Sequence, residues 1–61
     1  MNKPMPTTWQ RRLISVESHG LDDRTIRRCY VAPDAVLEST WLRVADAARK
    51  LRLPSPPRRA D

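Results

Sequence analysis

The sequence contains one cysteine, one histidine and one glycine, and it contains no phenylalanine. A lone cysteine, Cys29, excludes a disulfide within the chain, and no group of Cys and His residues has the spacing of a zinc site. A lone glycine, Gly20, excludes a glycine-rich loop that cradles phosphates. Because His19 and Cys29 are ten residues apart and no dense acid–base cluster exists, we expect no enzymatic activity, no metal and no cofactor.

The sequence also lacks a long apolar run and the hydrophobic core of a signal peptide. A membrane-spanning helix needs about 20 consecutive apolar residues, so we expect a soluble, cytoplasmic protein with no membrane partner. The 61 residues allow one domain at most. A chain of this length buries only about 60% of its extended surface, so a partner chain or self-association is one way to complete the core.

Positive charge, by contrast, is abundant. Lys and Arg together number 12 against 7 Asp and Glu, which gives a formal net charge of +5. A basic excess in so small a chain favours an anionic partner, and nucleic acid is the first candidate.

Hydrophobic spacing and capping signals predict an all-α protein with three helices. Residues 7–53 form the expected domain. Residues 1–6 contain prolines and show no periodicity, so we expect a disordered arm there. Residues 54–61, S-P-P-R-R-A-D after Pro54, are expected to form a disordered, basic tail.

The first helix is predicted over about residues 8–18. Thr7 and Gln10 match a capping box, in which each side chain binds the other residue's backbone N–H. A spacing of four and then three residues places three apolar side chains on one helical face, which we expect to face the core: Trp9, Leu13 and Val16.

The third helix is predicted to begin at Pro33 and to end before Pro54. Its apolar residues follow the spacing of a narrow heptad seam, Leu37, Trp41, Val44, Ala48 and Leu51. The seam has two interpretations. It packs against the other two helices, or part of it meets a second copy in a homodimer. We favour packing within the chain, with some surface shared between protomers.

A turn at Gly20 is predicted to separate the first helix from a second helix over about residues 22–31. Glycine adopts positive φ without a steric penalty, and Asp22 is a suitable N-cap for the helix that follows. The stretch Val16–Tyr30 resembles the helix-turn-helix signature of Lac-repressor and recombinase-type DNA-binding proteins. The matching residues are Gly20, Leu21, Thr25, Ile26 and Arg28.

This resemblance implies a small, sequence-preferring protein that binds double-stranded DNA, either a transcriptional regulator or an excisionase-like accessory factor. The second helix would enter the major groove and present Arg24, Thr25, Arg27 and Arg28 to it. Arg11 and Arg12 on the first helix would contact phosphates, as would the tail arginines Arg58 and Arg59. Trp41–Pro54 also resembles the opening helix of excisionase-type and MerR-type domains, which fits a phage- or plasmid-like regulator.

Two other functions compete with DNA binding. Asp22 and Asp23 lie at the tip of the second helix, where carboxylates would repel phosphates. They favour the alternative of a small phage- or plasmid-encoded protein that docks on a larger host protein and modulates it. RNA binding is the third function, and it lacks support because both tryptophans are predicted to be buried, which leaves no aromatic surface for base stacking.

Overall fold

The computed structural model describes residues 5–57, in which three α-helices and no strand are found. They are α1 (Thr8–Glu17), α2 (Asp23–Val31) and α3 (Glu38–Lys50). A single 3₁₀ turn, Pro33–Ala35, lies between α2 and α3. The prediction of a small all-α domain with three helices is therefore confirmed. Residues 1–4 and 58–61, including Arg58 and Arg59, lie outside the described residues.

The start of α1 agrees with the sequence, whereas its buried face does not. The Gln10 backbone N–H donates to Thr7 Oγ1 at 3.1 Å, and the Thr7 N–H donates to Gln10 Oε1 at 2.9 Å, which completes the capping box. The core side of α1 is formed by Ile14. The predicted core face is wrong: Trp9 is 65% exposed, Val16 is 75% exposed and Leu13 is also exposed. Sequence spacing identifies an apolar face of a helix. A ten-residue helix can carry two such faces, and the positions of the neighbouring helices determine which of the two is buried.

The turn after α1 uses two residues with positive φ. Gly20 has φ 96°, as predicted, and His19 has φ 66°. The Gly20 N–H donates to Ser15 O at 2.8 Å, and the His19 N–H donates to Val16 O at 3.1 Å. These two hydrogen bonds form a Schellman motif, in which the left-handed position belongs to His19 and Gly20 follows it.

The second helix begins as the sequence predicts. The Asp22 carboxylate accepts from the Thr25 backbone N–H at 3.1 Å as the N-cap interaction. One face of α2 is buried and carries Ile26, Cys29 and Tyr30. The helix ends at Val31, just before Pro33, whose ring restricts the preceding residue to extended geometry.

The third helix begins five residues later than predicted. Pro33 opens the 3₁₀ turn, and Leu37 is the N-cap of α3 with an extended backbone. Three seam residues, Trp41, Val44 and Ala48, are buried, and Leu51 is partly buried against them. Leu37 does not join the buried part of the seam, because it is the N-cap of α3 and its side chain is 74% exposed.

The residues flanking the helices pack more closely than expected for an arm and a tail. Pro6 is buried. The Tyr30 hydroxyl donates to Pro54 O at 2.5 Å, and Trp41 Nε1–H donates to Pro57 O at 2.9 Å. Pro56, between these two carbonyls, is also buried. The described part of the predicted tail, residues 54–57, is therefore held against α2 and α3.

Among residues 5–57, the longest helix has 13 residues, well short of the roughly 20 apolar residues that a membrane span requires.

Candidate nucleic-acid interface

The outer face of α2 is basic. Arg24, Arg27, Arg28 and Val31 follow one another at intervals of three, one and three residues, which places them on one side of a helix of 3.6 residues per turn. All four side chains are exposed, on the opposite side of α2 from buried Ile26. They line a shallow depression of about 230 Å³ together with Ala32. We call these four residues the basic face.

The charges of the basic face are not neutralised by the chain's own carboxylates. Within residues 5–57, the ion pairs join Arg11 to Asp23 and join Arg49 and Lys50 to Asp46. No side-chain hydrogen bond in that part of the chain uses Arg24, Arg27 or Arg28. Three guanidinium groups on adjacent turns are therefore directed outward.

Both acids at the tip of α2 are engaged in interactions within the chain. Hydrogen bonds from Thr25 lower the pKa of Asp22, so the N-cap carboxylate stays ionised and bound to the helix terminus. Asp23 Oδ1 accepts from Arg11 Nε at 2.6 Å. The repulsion that these acids would exert on a polyanion is reduced, for Asp23 by the charge of Arg11 and for Asp22 by the positive end of the helix dipole.

The two adjacent arginines of α1 have different surroundings. The Arg11 side chain is only 12% exposed. Besides its ion pair with Asp23, it donates to Pro6 O at 2.6 Å and to Thr8 Oγ1 at 3.2 Å. The Arg12 side chain is exposed. Of the two phosphate contacts predicted on α1, the structure thus leaves Arg12 available, whereas Arg11 joins the start of α1 to the start of α2.

Thr25, the remaining predicted contact within the described residues, lies in the first turn of α2 and is half-buried. It contributes its backbone N–H to the Asp22 cap. Of the six predicted DNA-contacting residues that lie within residues 5–57, the structure therefore brings three together on a single surface: Arg24, Arg27 and Arg28.

The buried face of α2 supports this surface and offers no reactive group. Burial raises the pKa of the Cys29 thiol, which disfavours the nucleophilic thiolate. Burial, together with the neighbouring Cys29, raises the pKa of Tyr30 to about 12. The part of the chain that the structure describes holds no group of three His, Cys, Asp or Glu residues that could bind a metal ion.

The residues predicted to form an interface are mostly part of the protein's own core. Trp41, Val44 and Ala48 are buried, and Leu51 packs against the same core. This arrangement matches the interpretation in which the seam packs within one chain. Leu37 is the exposed member of the set.

Two features of the surface are not predicted from the sequence. One is the apolar stripe of α1, formed by Trp9, Leu13 and Val16, which is exposed. The other is the segment Pro54–Pro57 and its hydrogen bonds to Tyr30 and Trp41. The Pro-x-x-Pro spacing is the signal that could have suggested the second feature.

Comparison of the chain with protein-family models, curated proteins and solved structures found no match.

Proposed function

We propose that this protein binds double-stranded DNA and places the basic face of α2 in the major groove. The observation that carries the proposal is the set of three exposed arginines on one side of a short helix, with no ion pair among residues 5–57. Arginine donates two parallel hydrogen bonds to the O6 and N7 atoms of guanine, and each such pair contributes about 1–3 kcal/mol of discrimination.

The dimensions of α2 suit this role. Nine residues span about 14 Å at 1.5 Å per residue, and the major groove is about 12 Å wide. The turn at His19–Gly20 separates α2 from α1, and the three residues Ile26, Cys29 and Tyr30 hold it on the core. A rigid support of this kind reduces the entropy lost on binding.

The proposed contacts divide by type. Arg24, Arg27 and Arg28 would read base edges, and exposed Val31 would meet a thymine methyl group beside them. Arg12 would contact the phosphate backbone and add affinity that depends on salt. Such a protein would act as a transcriptional regulator or as an accessory factor in recombination.

The test is a fluorescence-anisotropy titration with duplexes selected from a randomised pool. We expect Arg27→Ala combined with Arg28→Ala to weaken binding by about 2–6 kcal/mol, because two bidentate contacts are lost. On non-selected duplex, where Arg27 and Arg28 would contact phosphates instead of bases, the slope of log K against log salt should become shallower by about 2, since each phosphate contact contributes about 0.9.

The matched control is Arg49→Ala combined with Lys50→Ala. This variant loses the same two positive charges from α3, where both side chains pair with Asp46. We expect it to retain most of the affinity. Equal losses of affinity in the two variants would show that the interaction is non-specific attraction by net charge. Unchanged affinity in the α2 variant would refute the proposal.

The exposed stripe of α1 favours a second function, docking on a larger protein. Trp9, Leu13 and Val16 place an aromatic ring and two aliphatic side chains on one helix face in solvent, and tryptophan is enriched at the centres of interfaces. A complex with a host protein that survives high salt and fails to form with Trp9→Ala would support this function, provided that no DNA is retained. The argument against RNA binding assumed that both indoles are buried. Because Trp9 is exposed, that assumption holds for Trp41 alone.

A further inference from the structure

Two buried aromatic side chains hold the proline-rich segment through its carbonyl groups. The Tyr30 hydroxyl donates to Pro54 O, and the Trp41 indole N–H donates to Pro57 O. Tyr30 lies near the end of α2 and Trp41 in the first turns of α3, so the two donors come from different helices. Both rings are largely buried, and their polar atoms are directed at this segment.

The sequence restricts the conformation of the segment. Prolines at positions 54, 56 and 57 fix their own φ near −65°, and each restricts the residue before it to extended geometry. These restraints are typical of a polyproline-II helix, which has three residues per turn. Carbonyl groups three residues apart therefore point to the same side, and Pro54 and Pro57 have this separation.

No secondary structure holds the segment in place. Within the described residues, positions 54–57 make no backbone–backbone hydrogen bond. The last such bond before them is from Leu53 N–H to Ala48 O at 2.8 Å, which belongs to the end of α3. What holds the segment is the pair of aromatic donors and the burial of Pro56 between them.

We infer that Tyr30 and Trp41 form a recognition site for polyproline-II peptides with Pro-x-x-Pro spacing, which this chain fills with its own Pro54–Pro57. Aromatic grooves that recognise proline-rich peptides use the same elements: a preformed extended ligand, apolar contact with proline rings, and aromatic donors to the ligand's carbonyl groups. The site is independent of the basic face, since Arg24, Arg27 and Arg28 take no part in it. A second proline-rich segment of the same spacing binds the site when the chain's own segment leaves it.

The two tryptophans provide a built-in measurement on the full-length protein. Trp9 is exposed, whereas the Trp41 indole N–H is donated to Pro57 O. In a protein labelled with ¹⁵N at the indoles, we expect slow solvent exchange for Trp41 and fast exchange for Trp9. Replacing Pro54, Pro56 and Pro57 together by glycine in the full chain should accelerate Trp41 exchange by about tenfold or more, because the extended bias is lost.

The peptide LRLPSPPRR, which corresponds to residues 51–59, is then added at millimolar concentration to the triple-glycine variant. We expect a saturable shift of the Trp41 resonance with no shift of Trp9. The control peptide carries alanine in place of Pro54 and Pro57 and keeps every carbonyl group, and it should bind at least about tenfold more weakly. Unchanged Trp41 exchange in the variant, equal effects of the two peptides, or no effect of either would overturn the inference.

A second variant covers the case in which the triple-glycine chain loses its helical circular dichroism. Tyr30→Phe keeps the ring and removes only the hydroxyl that holds Pro54. We expect faster Trp41 exchange, since the segment is then held at one carbonyl group. Exchange at the wild-type rate in this variant would also overturn the inference.

Discussion

Two non-glycine residues, His19 and Arg52, have positive φ, at 66° and 59°. Each follows the last turn of a helix and occupies the left-handed position of a Schellman motif. After α3, the Arg52 N–H donates to Arg49 O at 3.1 Å and the Leu53 N–H donates to Ala48 O at 2.8 Å. The left-handed conformation costs an L-residue about 1–2 kcal/mol, so both helix ends carry backbone strain.

Replacing His19 by glycine should therefore stabilise the protein. Removing the strain of the left-handed conformation would stabilise the folded protein by about 1–2 kcal/mol. This gain exceeds the roughly 0.5–1 kcal/mol by which the backbone freedom of glycine favours the unfolded chain. We expect a net gain of about 0.5–1 kcal/mol in urea unfolding. Gly20→Ala is the control, and we expect it to lower the free energy of unfolding. Its Cβ would meet no atom within 4 Å, so the loss of stability reports backbone strain alone. A destabilised His19→Gly variant would contradict this account.

The cap of α2 predicts a pH dependence. Hydrogen bonds from Thr25 lower the pKa of Asp22 in the folded protein, so the unfolded chain takes up this proton more readily. The contribution of Asp22 is complete above pH about 4, the range of an unperturbed Asp, and it is lost as the pH falls through the folded-state pKa. Asp22→Asn keeps the capping acceptor, so we expect nearly unchanged stability at pH 7 and a weaker loss of stability in acid.

The measurement is thermal unfolding from pH 7 to pH 2. Asp22→Ala removes both the cap and the titrating group, and it should be less stable than Asp22→Asn at neutral pH. An Asp22→Asn variant that loses stability in acid as steeply as the wild type would show that Asp22 does not contribute to this dependence.

At the scale of helices, the side chain of Arg11 connects α1 to α2. It binds Asp23 at the start of α2 and the Pro6 carbonyl before α1. Hydrogen bonds that involve charged groups contribute about 1.5–3 kcal/mol each when shielded, and the partial exposure of Asp23 reduces this contribution. We expect Arg11→Ala to lower the free energy of unfolding by about 1–2 kcal/mol.

Arg12→Ala is the matched control, because it removes the same side chain from the next position, where it is exposed. Its effect on stability should stay within about 0.5 kcal/mol. If the protein binds DNA as proposed, the order should reverse in DNA titrations, since Arg12 is exposed and the Arg11 side chain is largely buried. Equal effects of the two variants on stability would contradict the role assigned to Arg11.

Features that depend on residues close in sequence could be predicted, and features that depend on distant contacts could not. The Thr7–Gln10 capping box and the Asp22 cap join residues three positions apart, and both are confirmed. The outward direction of Arg24 follows from its position opposite Ile26. The ion pair of Arg11 spans 12 positions, and nothing local distinguishes Arg11 from Arg12.

The same reasoning explains the errors about the buried surface. The spacing of Trp9 and Val16 gives an apolar face, but whether another helix covers it depends on the tertiary arrangement. The hydrogen bond from Tyr30 to Pro54 spans 24 positions. A tail that looks unable to fold by itself is held in place by aromatic donors that only the folded protein brings together.

At the scale of the whole molecule, stability depends on a small core. Within residues 5–57, nine buried apolar residues, contributed by all three helices and by Val36, form a single cluster. Cys29 is the chain's one cysteine, so no disulfide within the chain supplements that cluster, and residues 5–57 hold no candidate metal site. A domain of this size has a free energy of unfolding of about 3–5 kcal/mol.

Ile26→Ala should therefore leave much of the protein unfolded. Ile26 is fully buried on α2, and truncating such a side chain costs about 2–5 kcal/mol, which is comparable to the total. Val16→Ala removes an apolar side chain that is mostly exposed, and its effect should stay within about 0.5 kcal/mol. Circular dichroism at 25 °C distinguishes them: we expect a large loss of helical signal for Ile26→Ala and none for Val16→Ala. Because the basic face depends on the opposite side of α2 for its position, Ile26→Ala should also weaken the proposed DNA binding although every arginine is retained. A folded Ile26→Ala variant would mean that α2 is held by contacts outside this core.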